Sequence, residues 1–269
     1  MSRNVKNGKV DIGGAVMYYA AFGHGDKSLA VLPGLSDGLM TVKGKALLLA
    51  KPYKPFFKEY TVRMFSRREP LPDGFTISDM ADDTAKALEL LGVGSTSVLG
   101  VSQGGMIAQL FAARYPGMTE KLIVAVSAPY TNDTARGNVS GWMAMAGRGD
   151  HKSLMIDTAE KGYSEAYLKK YRKMYPLLGK IGKPKSYGRF LVNASAILGF
   201  DARDELDKIS SPTLVIGGAE DKTVGVQASR ELHDGIKGSS MYIYDRLGHA
   251  VYEEAEDFYE RVFAFLAER

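Results

Sequence analysis

The chain of 269 residues contains no cysteine. That absence excludes disulfide frameworks, Cys-ligated zinc, iron–sulfur clusters and a thiol nucleophile together. Histidine is scarce: His24, His151, His233 and His249 are the only four. No two of them stand at metal-ligand spacing, so no metal site is expected. No apolar run approaches the about 20 residues that a membrane-crossing helix needs. The opening MSRNVKNGKVDIGG has basic residues with no apolar core behind them, so it does not read as a secretory signal. Neither sign of charge dominates, with 35 Lys and Arg against 31 Asp and Glu and a net charge of +4. Such a balance carries no nucleic-acid footprint by itself, since that requires basic residues gathered on one face with aromatics among them. The expectation is a soluble, cytoplasmic chain with a small-molecule partner, no nucleic acid and no membrane span, working as a monomer or homodimer.

What is present reads as globular. Hydrophobic residues make up 45% and charged residues 25%, with 30 Gly and 10 Pro, which argues against disorder, collagen and coiled coil. The length suits one large domain or a core carrying an insertion. Short apolar runs alternate with amphipathic stretches, the pattern of a mostly parallel sheet covered by helices. Lys9–Gly23 predicts a hairpin around Gly13-Gly14, and strands are expected at Ser28–Leu32, Tyr60–Ser66, Ser95–Leu99, Lys121–Val126, Pro212–Gly217 and Met241–Tyr244. Helices are expected at Thr76–Leu91, Gln103–Tyr115, Val226–Ile236 and Glu253–Ala267, the first opened by a Thr76/Asp79 capping pair. The core is therefore assigned to 1–129 and 210–269. The intervening 130–209 lacks strands of the core type and reads as a helical cap. It opens with a turn-rich linker, TNDTARGNVSG, and has helical patterns around Ser153–Lys161 and Ser164–Met174.

Gly100-Val101-Ser102-Gln103-Gly104 matches G-x-S-x-G. The bare match is weak, because this Gly and Ser content produces about 0.2 such matches per shuffled chain. Context sharpens it: the motif follows the strand STSVL and opens the helix QGGMIAQLFAARY, the strand–turn–helix setting of a nucleophile elbow. The plain alternative is a Gly-rich turn with an incidental serine. A serine hydroxyl needs a base within hydrogen-bond reach and an acid to orient that base. His249 follows the last strand, after Gly248, and Asp221 follows the strand PTLVIGG. The other three histidines read as capping or surface residues, and a solvated loop carboxylate is the ordinary role of an isolated Asp. Strand then Ser, strand then Asp, strand then His is far less probable by chance than any single match. Glu220 stays open as a substitute for Asp221.

With GVSQGG, GGAED and LGHA in this order, the chain resembles the α/β-hydrolases with a helical cap over essentially its whole length. The resemblance implies an α/β-hydrolase fold with Ser102 as nucleophile, Asp221 as acid and His249 as base, and it requires no cofactor. It also implies an oxyanion hole from the backbone N–H groups of Gln103 and Leu35. The family's usual His before the Gly of that loop is Pro33 here, which leaves the donor in place and puts the loop geometry in question. Serine in place of aspartate argues against haloalkane dehalogenase and epoxide hydrolase chemistry and leaves acyl transfer. A carboxylesterase is the first expectation. A C–C bond hydrolase, an aminopeptidase, a thioesterase, a slow-turnover receptor and an inactive scaffold are the alternatives.

For substrate, the cap offers Trp142, the only tryptophan, beside Met143 and Met145, as a candidate apolar pocket. Phe190, Leu191 and Ile197 lie near its other end. Packing of the cap on the core explains the same residues equally well. Residues 150–200 hold ten Lys or Arg against four Asp or Glu, although charged faces of this kind are ordinarily solvated. Glu160 and Glu165 are the carboxylates an aminopeptidase reading would use for a substrate amine.

Overall fold

The computed structural model describes residues 4–180 and 182–268, so the first three residues of the basic N-terminal stretch lie outside the described residues. Eight strands form one sheet: β1 (Val5–Asp11), β2 (Val16–Gly23), β3 (Lys27–Leu32), β4 (Tyr60–Phe65), β5 (Thr96–Val101), β6 (Thr119–Ala125), β7 (Thr213–Gly218) and β8 (Ser240–Tyr244). Their order is β1-β2-β4-β3-β5-β6-β7-β8. β1 and β2 form the expected antiparallel hairpin, in which Gly13 and Gly14 take φ of 87° and 85°, values that suit a residue without a Cβ. β2 meets β4 antiparallel, and every pairing from β4 through β8 is parallel.

Parallel strands need both faces covered, which is why β5 and β7 are buried along their whole length. In β3, Ala30 and Leu32 pack on one face while Leu29 and Val31 pack on the other, as the two-residue period of a strand requires. The first face carries α2 (Ile77–Leu90) and α3 (Gln103–Arg114), with α9 (Val226–Gly235) beyond them. Thr76 and Asp79 close a complete capping box at the start of α2. The second face carries α1 (Ala46–Leu49), α10 (Val251–Glu254) and α11 (Phe258–Ala267).

Two expectations are corrected. The single closing helix is broken between α10 and α11, where Ala255 turns extended and Asp257 is held by the Tyr244 hydroxyl at 2.8 Å and by Arg261 at 2.7 Å. From Asp133 onward the supposed linker TNDTARGNVSG is instead the first part of α4 (Asp133–Gly147). The Asn132 side chain caps it by accepting from the Ala135 amide, and Ala135, Val139, Trp142 and Ala146 bury one stripe. Local turn propensity yields here to tertiary packing.

Between β6 and β7 the described residues form helices and turns and no strand: α4, α5 (His151–Gly162), α6 (Glu165–Tyr171), α7 (Tyr175–Leu178) and α8 (Gly188–Leu198). The two ends of this excursion are tied together by an antiparallel bridge between Tyr130 and Asp201. No helix among the described residues is long and apolar enough to cross a membrane.

Candidate active site

β5 is the middle of the sheet, and its carboxyl end runs straight into Ser102 and α3. Ser102 has φ 55° and ψ −119°, a strained backbone for a residue with a Cβ. The turn is tight because the neighbouring chain leaves no room: a Cβ on Gly104 would lie 1.8 Å from the Leu32 carbonyl oxygen, and one on Gly100 would lie 2.4 Å from the Gly104 oxygen. Val126, at the end of β6, also takes a positive φ, 45°. Strain thus gathers at one end of the sheet, where the parallel strands finish.

The loops after β7 and β8 deliver the other two residues to that end. His249 Nε2 stands 2.8 Å from Ser102 Oγ, and His249 Nδ1 stands 2.8 Å from Asp221 Oδ2. His249 and Asp221 are buried, whereas Glu220 is exposed. The second Asp221 oxygen accepts from the Thr223 amide at 2.7 Å and the Val224 amide at 3.0 Å. Burial pushes the Asp221 carboxyl upward, but His249 and these two amides outweigh it and hold it below the ordinary carboxylate value. Asp221 is thus a carboxylate with one oxygen fixed by the backbone and the other left for the imidazole.

Gln103 and Leu35 each open a helical turn, so neither amide has an intrahelical partner. Gly34 lies directly against the serine: a Cβ there would be 3.2 Å from Ser102 Cβ and 3.7 Å from Oγ. The substitution of Pro33 for histidine does not leave its loop unsupported, because the Pro33 carbonyl accepts from Arg67 Nη2 at 2.6 Å.

The sequence pattern of the alpha/beta hydrolase fold matches residues 64–256, well over half of the chain. The protein belongs to the alpha/beta hydrolase family. It is 26% identical over 193 residues to the AB hydrolase superfamily protein YisY of Bacillus subtilis, covering 68% of this chain and 71% of that one. It is 25% identical to the pimeloyl-acyl-carrier-protein methyl ester esterase of Neisseria meningitidis, over 67% of this chain and 71% of the relative. Among solved structures, an alpha/beta hydrolase enzyme from a Medee basin deep-sea metagenome library superposes with a TM-score of 0.83 at 20% identity, covering 97% and 98% of the two chains.

This alpha/beta hydrolase surrounds its serine with a buried polar network that sequence reasoning did not anticipate. The Arg67 guanidinium, besides holding Pro33, donates from Nη2 to Gln103 Oε1 at 3.0 Å, and Gln103 Nε2 donates to the Asn193 carbonyl of α8 at 2.7 Å. Asp37 Oδ2 accepts from the Arg67 amide at 3.1 Å and from Arg189 Nη2 at 2.7 Å. Burial lowers the Arg67 guanidinium to about 10 against the opposing pull of Asp37, with Arg189 lowering it further. The residue after the serine is therefore locked both to the core loop and to the helical excursion. A charged residue two positions past the end of a core strand, as Arg67 stands after β4, was the available signal.

The helical segment also braces the acid. Asn138 Nδ2 donates to the Lys222 and Thr223 carbonyls at 2.8 and 2.9 Å, and Asn132 Nδ2 donates to the Val224 carbonyl at 2.8 Å. Its other candidates serve the segment itself. Trp142 is buried with its indole N–H donating to Asp157 at 2.7 Å, which ties α4 to α5. Met143 and Met145 are half-buried against the core cluster, and Phe190 and Ile197 are buried in it. Glu160 and Glu165 are both engaged by Arg172, each through two hydrogen bonds. That pair is therefore not left waiting for an amine. His151, read as a capping or surface residue, opens α5 and is buried beside Tyr187, whereas His24 is exposed and His233 contacts Ser239.

Proposed function

We propose that the protein is a serine hydrolase that cleaves small carboxylic esters through an acyl-enzyme, without a cofactor, and that residues 130–209 act as its cap. The observation that carries the reading is the continuous relay from Asp221 through His249 to Ser102, with both links at 2.8 Å. Asp221 accepts a hydrogen bond from the Nδ1–H of the ring, so Nε2 presents its lone pair to the Ser102 hydroxyl. As Ser102 Oγ attacks the ester carbonyl, His249 takes its proton and the imidazolium is stabilised by Asp221. The carbonyl oxygen becomes an oxyanion facing the amides of Gln103 and Leu35, and each such donor is worth about 3 kcal/mol in a water-poor site. His249 then protonates the departing alcohol, and water repeats the sequence on the acyl-enzyme. The likeness to a methyl ester esterase fits an ester substrate. The Arg172 clamp on Glu160 and Glu165 speaks against an aminopeptidase.

The test is steady-state hydrolysis of p-nitrophenyl acetate and butyrate by the wild type beside Ser102→Ala. Sustained turnover that vanishes in the variant supports the reading, and equal rates in the two proteins refute it. A single stoichiometric burst with no further release points to a receptor that turns over once.

A further inference from the structure

The excursion between β3 and β4 has an outward face that the chemistry at Ser102 does not use. Residues 38–58 contain Lys43, Lys45, Lys51, Lys54 and Lys58 and no acidic residue. The acid that follows, Glu59, is already paired with Lys27 at 3.0 Å. The segment has a helical inside: Ala46, Ala50, Tyr53 and Phe56 are buried against the sheet and α11. The opposite side presents Leu47 and Leu48, each 75% exposed, with Met40 at 56%. Singly exposed leucines are unremarkable, but an adjacent pair calls for an account. Lys43 and Lys51 stand in the turns that flank the short α1 on either side of this pair, with the Lys43 ammonium over the Tyr18 ring at 4.3 Å. Lys43, Lys51, Lys54 and Lys58 are exposed and take no ion pair among the described residues.

We propose that this face docks on an anionic lipid bilayer, with Leu47 and Leu48 entering the headgroup boundary and the lysines meeting the lipid phosphates. The outward positions hold Lys, Gly, Leu, Met and Pro, which provide positive charge and apolar area but no carboxylate, hydroxyl or amide side chain of the kind that reads a protein surface. A symmetric pair of copies joined through this patch would set two lysine clusters against each other, which opposes a dimer there. The protein then lies on a membrane and does not span one. The inference does not depend on the assignment of Ser102.

Flotation with phosphatidylcholine vesicles containing about one third phosphatidylglycerol tests it, with pure phosphatidylcholine vesicles as the reference. The wild type partitions onto the anionic vesicles and is released as salt rises from about 0.1 M to about 1 M, which shortens the screening length from about 10 Å to about 3 Å. K51Q/K54Q/K58Q weakens partitioning by about fivefold per lysine, and L47S/L48S weakens it by about tenfold or more while keeping the salt dependence. Unchanged melting temperatures show that these surface variants fold. No binding by the wild type overturns the proposal, as does equal binding by L47S/L48S. It is also overturned if binding is lost instead on M174S/L177S, the exposed apolar pair of the cap. Sedimentation showing a dimer that L47S/L48S dissociates overturns it in favour of a second copy.

Discussion

Replacing Asp221 with Asn separates the orientation of His249 from the integrity of its loop. Asn keeps an oxygen for the Thr223 and Val224 amides, which now bond Asp221 at 2.7 and 3.0 Å. Its NH2 group then faces His249 Nδ1, which must accept. The imidazole proton moves to Nε2, and Nε2 can no longer receive the Ser102 proton. The expected loss in kcat is about 10⁴-fold, the size of the same tautomer effect in serine-protease triads, with KM and melting temperature little changed. Asp221→Ala should lose as much activity and also strand both buried amides, for about 2–4 kcal/mol in all. In a chain of this size that corresponds to a fall of roughly 5–10 °C in melting temperature. The assay is p-nitrophenyl ester turnover beside thermal unfolding for both variants, with Glu220→Gln as the control. A loss below about tenfold in Asp221→Asn, or an equal loss in Glu220→Gln, would refute the reasoning.

Ser102→Gly should abolish turnover yet raise stability by about 1 kcal/mol, because glycine tolerates the φ of 55° and relieves most of the strain. Calorimetry showing no gain over Ser102→Ala would contradict it. Gly104→Ala should prevent the native turn, since its Cβ would sit 1.8 Å from the Leu32 oxygen, whereas Gly34→Ala, at 3.2 Å from Ser102 Cβ, should fold and lose activity; soluble yield and esterase rate distinguish the two. Arg172 holds the Glu160 carboxyl down from 4.5 to about 2. A depressed acid stabilises the fold above its unfolded value, so this contribution is present above pH 4.5 and fades as pH falls toward about 2. The clamp is more than one-third exposed, so solvent screening keeps its contribution small. Hydrogen exchange in α5 and α6 should rise across that window, and Arg172→Met should remove the dependence.

The strand order, the core helices α2, α3 and α9, and the three loops that carry Ser102, Asp221 and His249 were legible along the chain. These are local properties: apolar runs of strand length, a capping pair, and glycines at a turn too tight for side chains. The sequence also pointed to Asp221 over Glu220, which the structure leaves exposed. The break after α10 and the helical start of α4 were not legible, because each is set by a distant partner. Tyr244 holds Asp257 for the first, and the Asp221 loop draws in Asn132 and Asn138 for the second. The same holds for Trp142, whose composition suggested a pocket while its indole N–H is satisfied within the helical segment. Only the tertiary structure revealed the buried Asp37–Arg67–Gln103 network and its attachment to α8 through Arg189 and Asn193. A buried charge is stable only beside its counter-charge and hydrogen-bond partners, and those partners lie up to 152 residues apart along the chain, beyond the reach of any local pattern.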